Sequence, residues 1–173
     1  MVCIFADKNV GKKSLGESGF VNDIVNMKTG ITLGISFFLK DIELYGENFR
    51  INLWIFSPNK HFEKMQIMQV RLSNGIILLY DITNRKSLNW LSKWSYAKEN
   101  VVVDDIPILL VGNKLDLEEV REVSKEQAEI FKEKNNLSSS MEISIKTGKN
   151  VEEMFKNITR MVITKFNPEI IDE

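Results

Sequence analysis

The sequence predicts an α/β protein: a six-stranded, mostly parallel sheet with helices on both faces. Three observations predict it. Residues 2–5, 76–80 and 107–111 are short apolar runs of the length and continuity expected for strands buried on both sides. Amphipathic segments with helix-start signals lie between such runs, and strands alternating with helices build a parallel, covered sheet. Residues 34–44 and 49–56 flank Tyr45-Gly46-Glu47-Asn48, a hairpin signal that supplies one antiparallel edge.

The elements follow in order. The run 2–5 is the first strand, and a helix begins at Lys13 and ends near Gly16 or Gly19, two glycines that weaken it. Residues 20–33 read as loop, with Asn22-Asp23 and Thr29-Gly30 as breakers. In the strand 34–44, Ile35, Phe37 and Leu39 precede Ile42 and Leu44, so the apolar face changes around Lys40-Asp41. Its partner 49–56 places Ile51, Leu53 and Ile55 on one side and stops at Ser57-Pro58-Asn59-Lys60. Residues 62–72 and 84–100 read as helices, the second with Trp90 and Trp94 four apart for packing. Ser124-Lys125-Glu126-Gln127 is a capping box, and Met141-Glu142-Ile143 a short strand. Asn150 with Glu153 reads as a second box, opening a helix striped by Val151, Met154, Phe155, Ile158, Met161 and Val162.

Bulk properties bound the function. A chain of 173 residues, 43% hydrophobic and 27% charged, fits one globular domain spanning residues 1–173. A net charge of −1 gives no basic surplus for nucleic acid. A single cysteine, Cys3 in the first strand, allows no internal disulfide and suits a reducing, cytoplasmic setting. No apolar run is long enough to span a membrane, no signal peptide opens the chain, and residues 167–173 hold no Cys for a lipid anchor. His61, the sole histidine, has no second histidine with which to share a metal.

Two motifs carry chemistry. Ala6-Asp7-Lys8-Asn9-Val10-Gly11-Lys12-Lys13-Ser14 follows a strand and resembles the phosphate-binding loop G-x-x-x-x-G-K-[ST], with Ala6 for the first glycine and Lys13 for the hydroxyl residue. Asn113-Lys114-Leu115-Asp116 leaves the buried strand at 107–111, and ligands of open parallel sheets bind beyond the carboxyl ends of strands. A carboxylate at Asp116 can accept both the N1 proton and the exocyclic amine of guanine, a donor pair that adenine lacks. Ser144-Ile145-Lys146 leaves another strand at the same rim.

With Gly11-Lys12, Thr32-Leu33-Gly34, Trp54, Tyr80-Asp81-Ile82-Thr83-Asn84-Arg85, Asn113-Lys114-Leu115-Asp116 and 146–153, the chain resembles the Ras-like small GTPases, and within them the Rab branch. The resemblance implies the P-loop small-GTPase fold and GTP or GDP as ligand. It makes Asp7, Lys8, Asn9, Val10, Gly11, Lys12, Lys13 and Ser14 the phosphate loop, with Lys12 on the β and γ phosphates. It makes Asn113, Lys114, Asp116, Ser144, Ile145 and Lys146 the base site. Thr32 matches the switch threonine that reaches magnesium and the γ-phosphate.

Departures from the family concentrate in the metal and hydrolysis parts. Lys13 replaces the magnesium-ligating hydroxyl, and Ser14, rotated by about 100° on a helix, points elsewhere. Ile55 replaces the acidic residue behind the metal's waters. Pro58 replaces a glycine whose N–H senses the γ-phosphate, and proline has none. Asn59, the remaining catalytic candidate, is one methylene shorter than the water-orienting glutamine. Ile24 or Val25 falls where the family stacks an aromatic on the base. Phe37 and Trp54 match two effector-facing aromatics, a third falling at Gln69 or Val70, so a protein effector or regulator is expected through residues 29–38 and 54–72. The expectation is a guanine-nucleotide-binding module that hydrolyses poorly and barely switches. Its rivals are a slow GTPase completed by a helper protein and a scaffold that binds no nucleotide.

Overall fold

The computed structural model describes residues 1–17, 22–24, 35–56, 70–92 and 106–171. Along the chain run β1 (Val2–Ala6), α1 (Lys12–Glu17), β2 (Asn22–Ile24), β3 (Ile35–Leu44), β4 (Glu47–Phe56), β5 (Gly75–Asp81), α2 (Arg85–Leu91) and β6 (Ile108–Asn113). A 3-10 segment Leu115–Val120, α3 (Lys125–Lys134), β7 (Ser139–Glu142), α4 (Val151–Phe166) and a 3-10 turn Pro168–Ile171 complete it.

One seven-stranded sheet has the order β2-β3-β4-β1-β5-β6-β7. The six expected strands are all present, and the seventh is the three-residue β2, inside the stretch read from sequence as loop. β1 pairs in parallel with β4 and β5, β5 with β6, and β6 with β7. The β3–β4 hairpin and β2 are antiparallel.

Every residue of β1, β5 and β6 is buried. Successive side chains point to opposite faces, so the three strands feed two cores. One holds Val2, Ile4, Leu53, Ile55, Ile77 and Leu79 under α1 and α4, through Leu15, Met154, Phe155 and Ile158. The other holds Cys3, Phe5, Phe56, Leu78 and Tyr80 under α2 and α3, through Leu88, Leu91 and Ala128. Phe5 and Phe56 stack there with ring centroids 4.8 Å apart. Burial pushes the Cys3 thiol up to about 12, which keeps it protonated and unreactive.

The hairpin closes more tightly than its sequence suggests. Ten consecutive pairs run from Ile35↔Phe56 to Leu44↔Glu47, leaving a two-residue turn. Tyr45 (φ 54) and Gly46 (φ 76) are both left-handed, as a type I′ turn requires. The unbroken register agrees with the face change read at Lys40-Asp41, since Phe37 and Leu39 alternate with Ile42 and Leu44 across the sheet. Phe38, Ile42 and Leu44 are buried on one face while Phe37 and Leu39 lie half-buried on the other. Lys40 shares the buried face, its side chain only 12% exposed, 2.8 Å from Glu152 of α4 and 5.9 Å from the Phe155 ring centroid.

Helix starts divide into one met expectation and one correction. Ser124 and Gln127 form both halves of the capping box on α3. Asn150 occupies the N-cap position of α4 but caps nothing with its side chain. Its main chain is left-handed (φ 61), and its amide donates instead to Glu142 O at 2.8 Å. Glu153 pairs with Arg160 at 2.7 Å. The α4 stripe is otherwise as expected, extended by buried Ile163. Of the helices read at 62–72 and 84–100, residues 70–72 and 84–92 fall within the described residues, with Val70–Arg71 and Arg85–Leu91 helical; Trp94 lies outside them.

Gly112 on β6 shows how closely the sheet is packed. A Cβ there would sit 2.7 Å from the Tyr80 hydroxyl and 2.9 Å from Ile82 Cγ2. Gly112→Ala should destabilise the fold by about 1–3 kcal/mol, read as a melting point lower by roughly 2–10 °C in thermal denaturation.

Candidate functional site

Four chain segments meet at the carboxyl end of the parallel strands. The 6–12 loop leaves β1, residues 82–84 leave β5, residues 113–116 leave β6, and residues 143–146 follow β7. Main-chain bonds knit the last three: Ile82 N donates to Asn113 O (3.1 Å), Leu115 N to Ile143 O (3.0 Å) and Ile143 N to Gly112 O (2.8 Å). The Asn113 side chain, 3% exposed, brings in the first. Its Nδ2 donates to Val10 O at 2.8 Å and its Oδ1 accepts from Ile145 N at 3.0 Å. Gly11 lets that amide approach. It is left-handed (φ 111), and a Cβ on it would lie 2.5 Å from Asn113 Nδ2. Asn9 takes the other left-handed position of the loop (φ 63), a conformation that asparagine tolerates better than most residues.

Lys12 folds back along this loop. Its ammonium donates to the Asp7 carbonyl at 2.7 Å and to the Ala6 carbonyl. Burial lowers its pKa to about 8, against the raising effect of the Asp7 charge. Lys8 is exposed, its N–H bound to Asp7 Oδ1 at 2.8 Å. Ser14 is exposed, while Leu15 behind it is buried and closes the first helical bond to Gly11 O at 3.0 Å.

The Asp116 carboxylate has one partner fixed and one edge available. Oδ1 accepts from the Ser144 hydroxyl at 2.6 Å, and that hydroxyl accepts from Thr147 N at 3.1 Å. The exposed Lys146 ammonium stands 3.8 Å from Oδ2. Carboxylate oxygens have about four acceptor sites between them, so the Ser144 bond leaves capacity for a donor pair.

Asp81, the last residue of β5, belongs to this rim and was not singled out from sequence as a site residue. It is 4% exposed, sits opposite Asn113 in register, and binds the Lys114 ammonium at 2.5 Å. Its other oxygen accepts from Thr83 N (2.9 Å) and Thr83 Oγ1 (2.7 Å). Lys114 itself is left-handed (φ 71).

A family model described as the Ras family matches residues 1–164. The chain belongs to the Ras family. It is 34% identical to Ras-related protein Rab-4 of Dictyostelium discoideum, across 91% of this chain and 78% of that one. It is 33% identical to Ras-related protein Rab-12 of Mus musculus, across 98% and 70%, and 32% identical to Ras-related protein Rab-8B of Homo sapiens, across 98% and 81%. These relatives place it on the Rab branch of the small GTPases.

Two positions that the resemblance ties to the family's magnesium fall within the described residues. Ile55, at the position of the acid behind the metal's waters, is 5% exposed and part of the α4-side core, paired in register with Ile4. It brings no oxygen. Lys13, in α1, stands at the position where the resemblance places a hydroxyl ligand. Hard cations take oxygen ligands, which neither residue type carries. Thr32, Pro58 and Asn59 lie outside the described residues, as do His61, Gln69 and Val25. Of the effector-facing positions, Phe37 and Trp54 make an edge-to-face pair, centroids 4.5 Å apart at 83°, both half-buried. Val70 is 3% exposed and sits in the core instead of presenting a third side chain. Among the described residues no helix is long and apolar enough to cross a membrane.

The lowered Lys12 pKa gives a test of the phosphate loop. The folded chain releases that proton near 8 and the unfolded chain near 10.5, so the unfolded state binds more protons between the two. Stability of the ligand-free protein should therefore rise with pH across that window, and the Lys12 contribution is lost as pH falls through 8. An anionic phosphate favours the ammonium. Binding of a nucleoside diphosphate within the window should take up a proton, seen as a calorimetric enthalpy that varies with buffer ionisation heat. Lys12→Met should abolish that buffer dependence.

Proposed function

We propose that this Rab-branch protein is a guanine-nucleotide-binding regulatory module of trafficking type whose nucleotide state barely switches and whose hydrolysis is slow or absent. The observation that carries the reading is Ile55: the position that elsewhere in the family holds an acid behind the metal is here an alkyl side chain packed in the core. Lys13, Pro58 and Asn59 change the same subsystem. Guanine recognition, by contrast, keeps its parts. Asp116 is held by Ser144, Asn113 fastens the base loops to the phosphate loop, and Lys12 lies along that loop.

On this reading Lys12 and Lys13 supply the positive charge that the phosphates need. A lysine forms hydrogen bonds only, so it binds phosphate without arranging octahedral coordination or in-line attack by water. The edge-to-face pair Phe37–Trp54 supports a protein partner docking through residues 29–38 and 54–72. The domain 1–173 acts as one unit.

Nucleotide release should be nearly insensitive to EDTA. Lys13→Ser combined with Ile55→Asp should restore magnesium dependence without restoring full hydrolysis, because Pro58 and Asn59 remain. Dissociation of a fluorescent GDP with and without chelator checks both, and many-fold faster release of the parent in EDTA overturns the proposal. Asp116→Ala should weaken GDP by about 1.5–3 kcal/mol per lost charge-assisted bond, measured by calorimetry. Single-turnover hydrolysis separates this module from a slow GTPase that a helper completes. A purified protein devoid of nucleotide, and binding none when it is added, points to a scaffold.

A further inference from the structure

Lys114 lies between two residues with fixed tasks. Asn113 ties three loops together, and Asp116 presents the carboxylate that, on the reading above, receives guanine. Yet Lys114 has a left-handed main chain (φ 71, ψ 35), a conformation that residues carrying a Cβ adopt only when their surroundings hold them there. The following 3-10 segment is weak support, since Leu117 within it departs from helical angles. Something must hold Lys114.

Leu117 N donates to the Lys114 carbonyl at 2.8 Å, and the side chain is held by Asp81. Its carboxylate is 6% exposed and 2.5 Å from the Lys114 ammonium. It cannot swing away, because Thr83 binds its other oxygen through both N–H and hydroxyl, and Ser87 Oγ accepts from the Asp81 N–H at 2.9 Å. Strand pairing sets Asp81 beside Asn113, so the partner's position is fixed by the sheet. The same contact keeps the Lys114 ammonium off Asp116, whose Oδ2 already has Lys146 at 3.8 Å.

We propose that Asp81 is a positioning residue for guanine recognition, acting through Lys114: the Asp81–Lys114 pair holds residues 113–116 in the conformation that presents Asp116 to the base. The proposal rests on the guanine-binding reading above and adds to it a residue that touches no nucleotide.

The test is a double-mutant cycle read by GDP dissociation, with Asp81→Asn, Lys114→Met and both together. Asp81→Asn keeps the shape and the Thr83 bonds but removes the charge. It should speed GDP release roughly tenfold, the order expected for a lost charge-assisted bond. In the Lys114→Met background the same change should add less than about twofold. An equal effect in both backgrounds shows a general structural role and overturns the proposal, as does no effect in the parent background. Thr83→Val, which loosens Asp81 without altering its charge, should give a smaller acceleration in the same sense and serves if Asp81→Asn does not fold. Amide exchange at Leu115, whose N–H binds Ile143 O, is read on nucleotide-free protein. Asp81→Asn should raise it, and unchanged exchange overturns the proposal. A parent that binds no GDP while Leu115 exchange responds to Asp81→Asn overturns the guanine reading, and the proposal with it as far as nucleotide is concerned, leaving the loop contact itself demonstrated.

Discussion

The site depends on one buried amide. Asn113 spends its donor on Val10 O and its acceptor on Ile145 N, across 103 and 32 residues of chain. Both partners are main-chain groups with few other ways to be satisfied, and an orphaned buried N–H or C=O costs about 1–3 kcal/mol. The loops after β1, β6 and β7 therefore cannot reach their final places separately. Gly11 follows from the same amide, because any side chain there would occupy the space of Nδ2. The loop after β1 and the loops after β6 and β7 are in this way one object, although they lie far apart in the chain.

Much of this was legible in the residues, for physical reasons. β1, β5 and β6 are buried on both faces, so their sequences are continuous apolar runs that nothing else in a short chain imitates. Ser124 to Gln127 carries its helix start in side chains that reach only three residues. Asn150 shows the opposite case. Its sequence fits a cap, but Glu142 O, eight residues back and brought near only by folding, takes the amide away. Lys40 reads as a polar interruption of β3, yet its side chain is only 12% exposed and lies against Glu152 of α4, a neighbour that only folding brings near. The Asp81–Lys114 pair was invisible because sheet order, not sequence spacing, makes β5 and β6 neighbours. Residues 6–14 and 113–116 could be placed on one rim because each is a contiguous segment following a strand.

The polar rim and the position of Ile55 are built from different material, and on the proposed reading this lets one change while the other stays. Asp116, Ser144 and Asn113 are polar groups whose bonds to one another and to the main chain stabilise the rim. Altering any of them would leave partners unsatisfied. The position of Ile55 carries no such obligation. Between Ile4 and Ser36 in the sheet, it accepts an alkyl group that simply enlarges the core. A functional acid can be lost there with a gain in packing, whereas regaining one means burying a carboxylate, which is costly unless paired.

The Lys40–Glu152 contact has a mechanical meaning. β3 and β4 are joined by ten regular pairs and a two-residue turn, and turn type and length fix a hairpin's register. A slide of two residues would carry Lys40 about 7 Å along the strand, away from Glu152 and from the Phe155 ring, and would strand a mostly buried ammonium. α4 thus works as a pawl against the hairpin. The register that the turn sets is reinforced by a helix that lies at the far end of the chain.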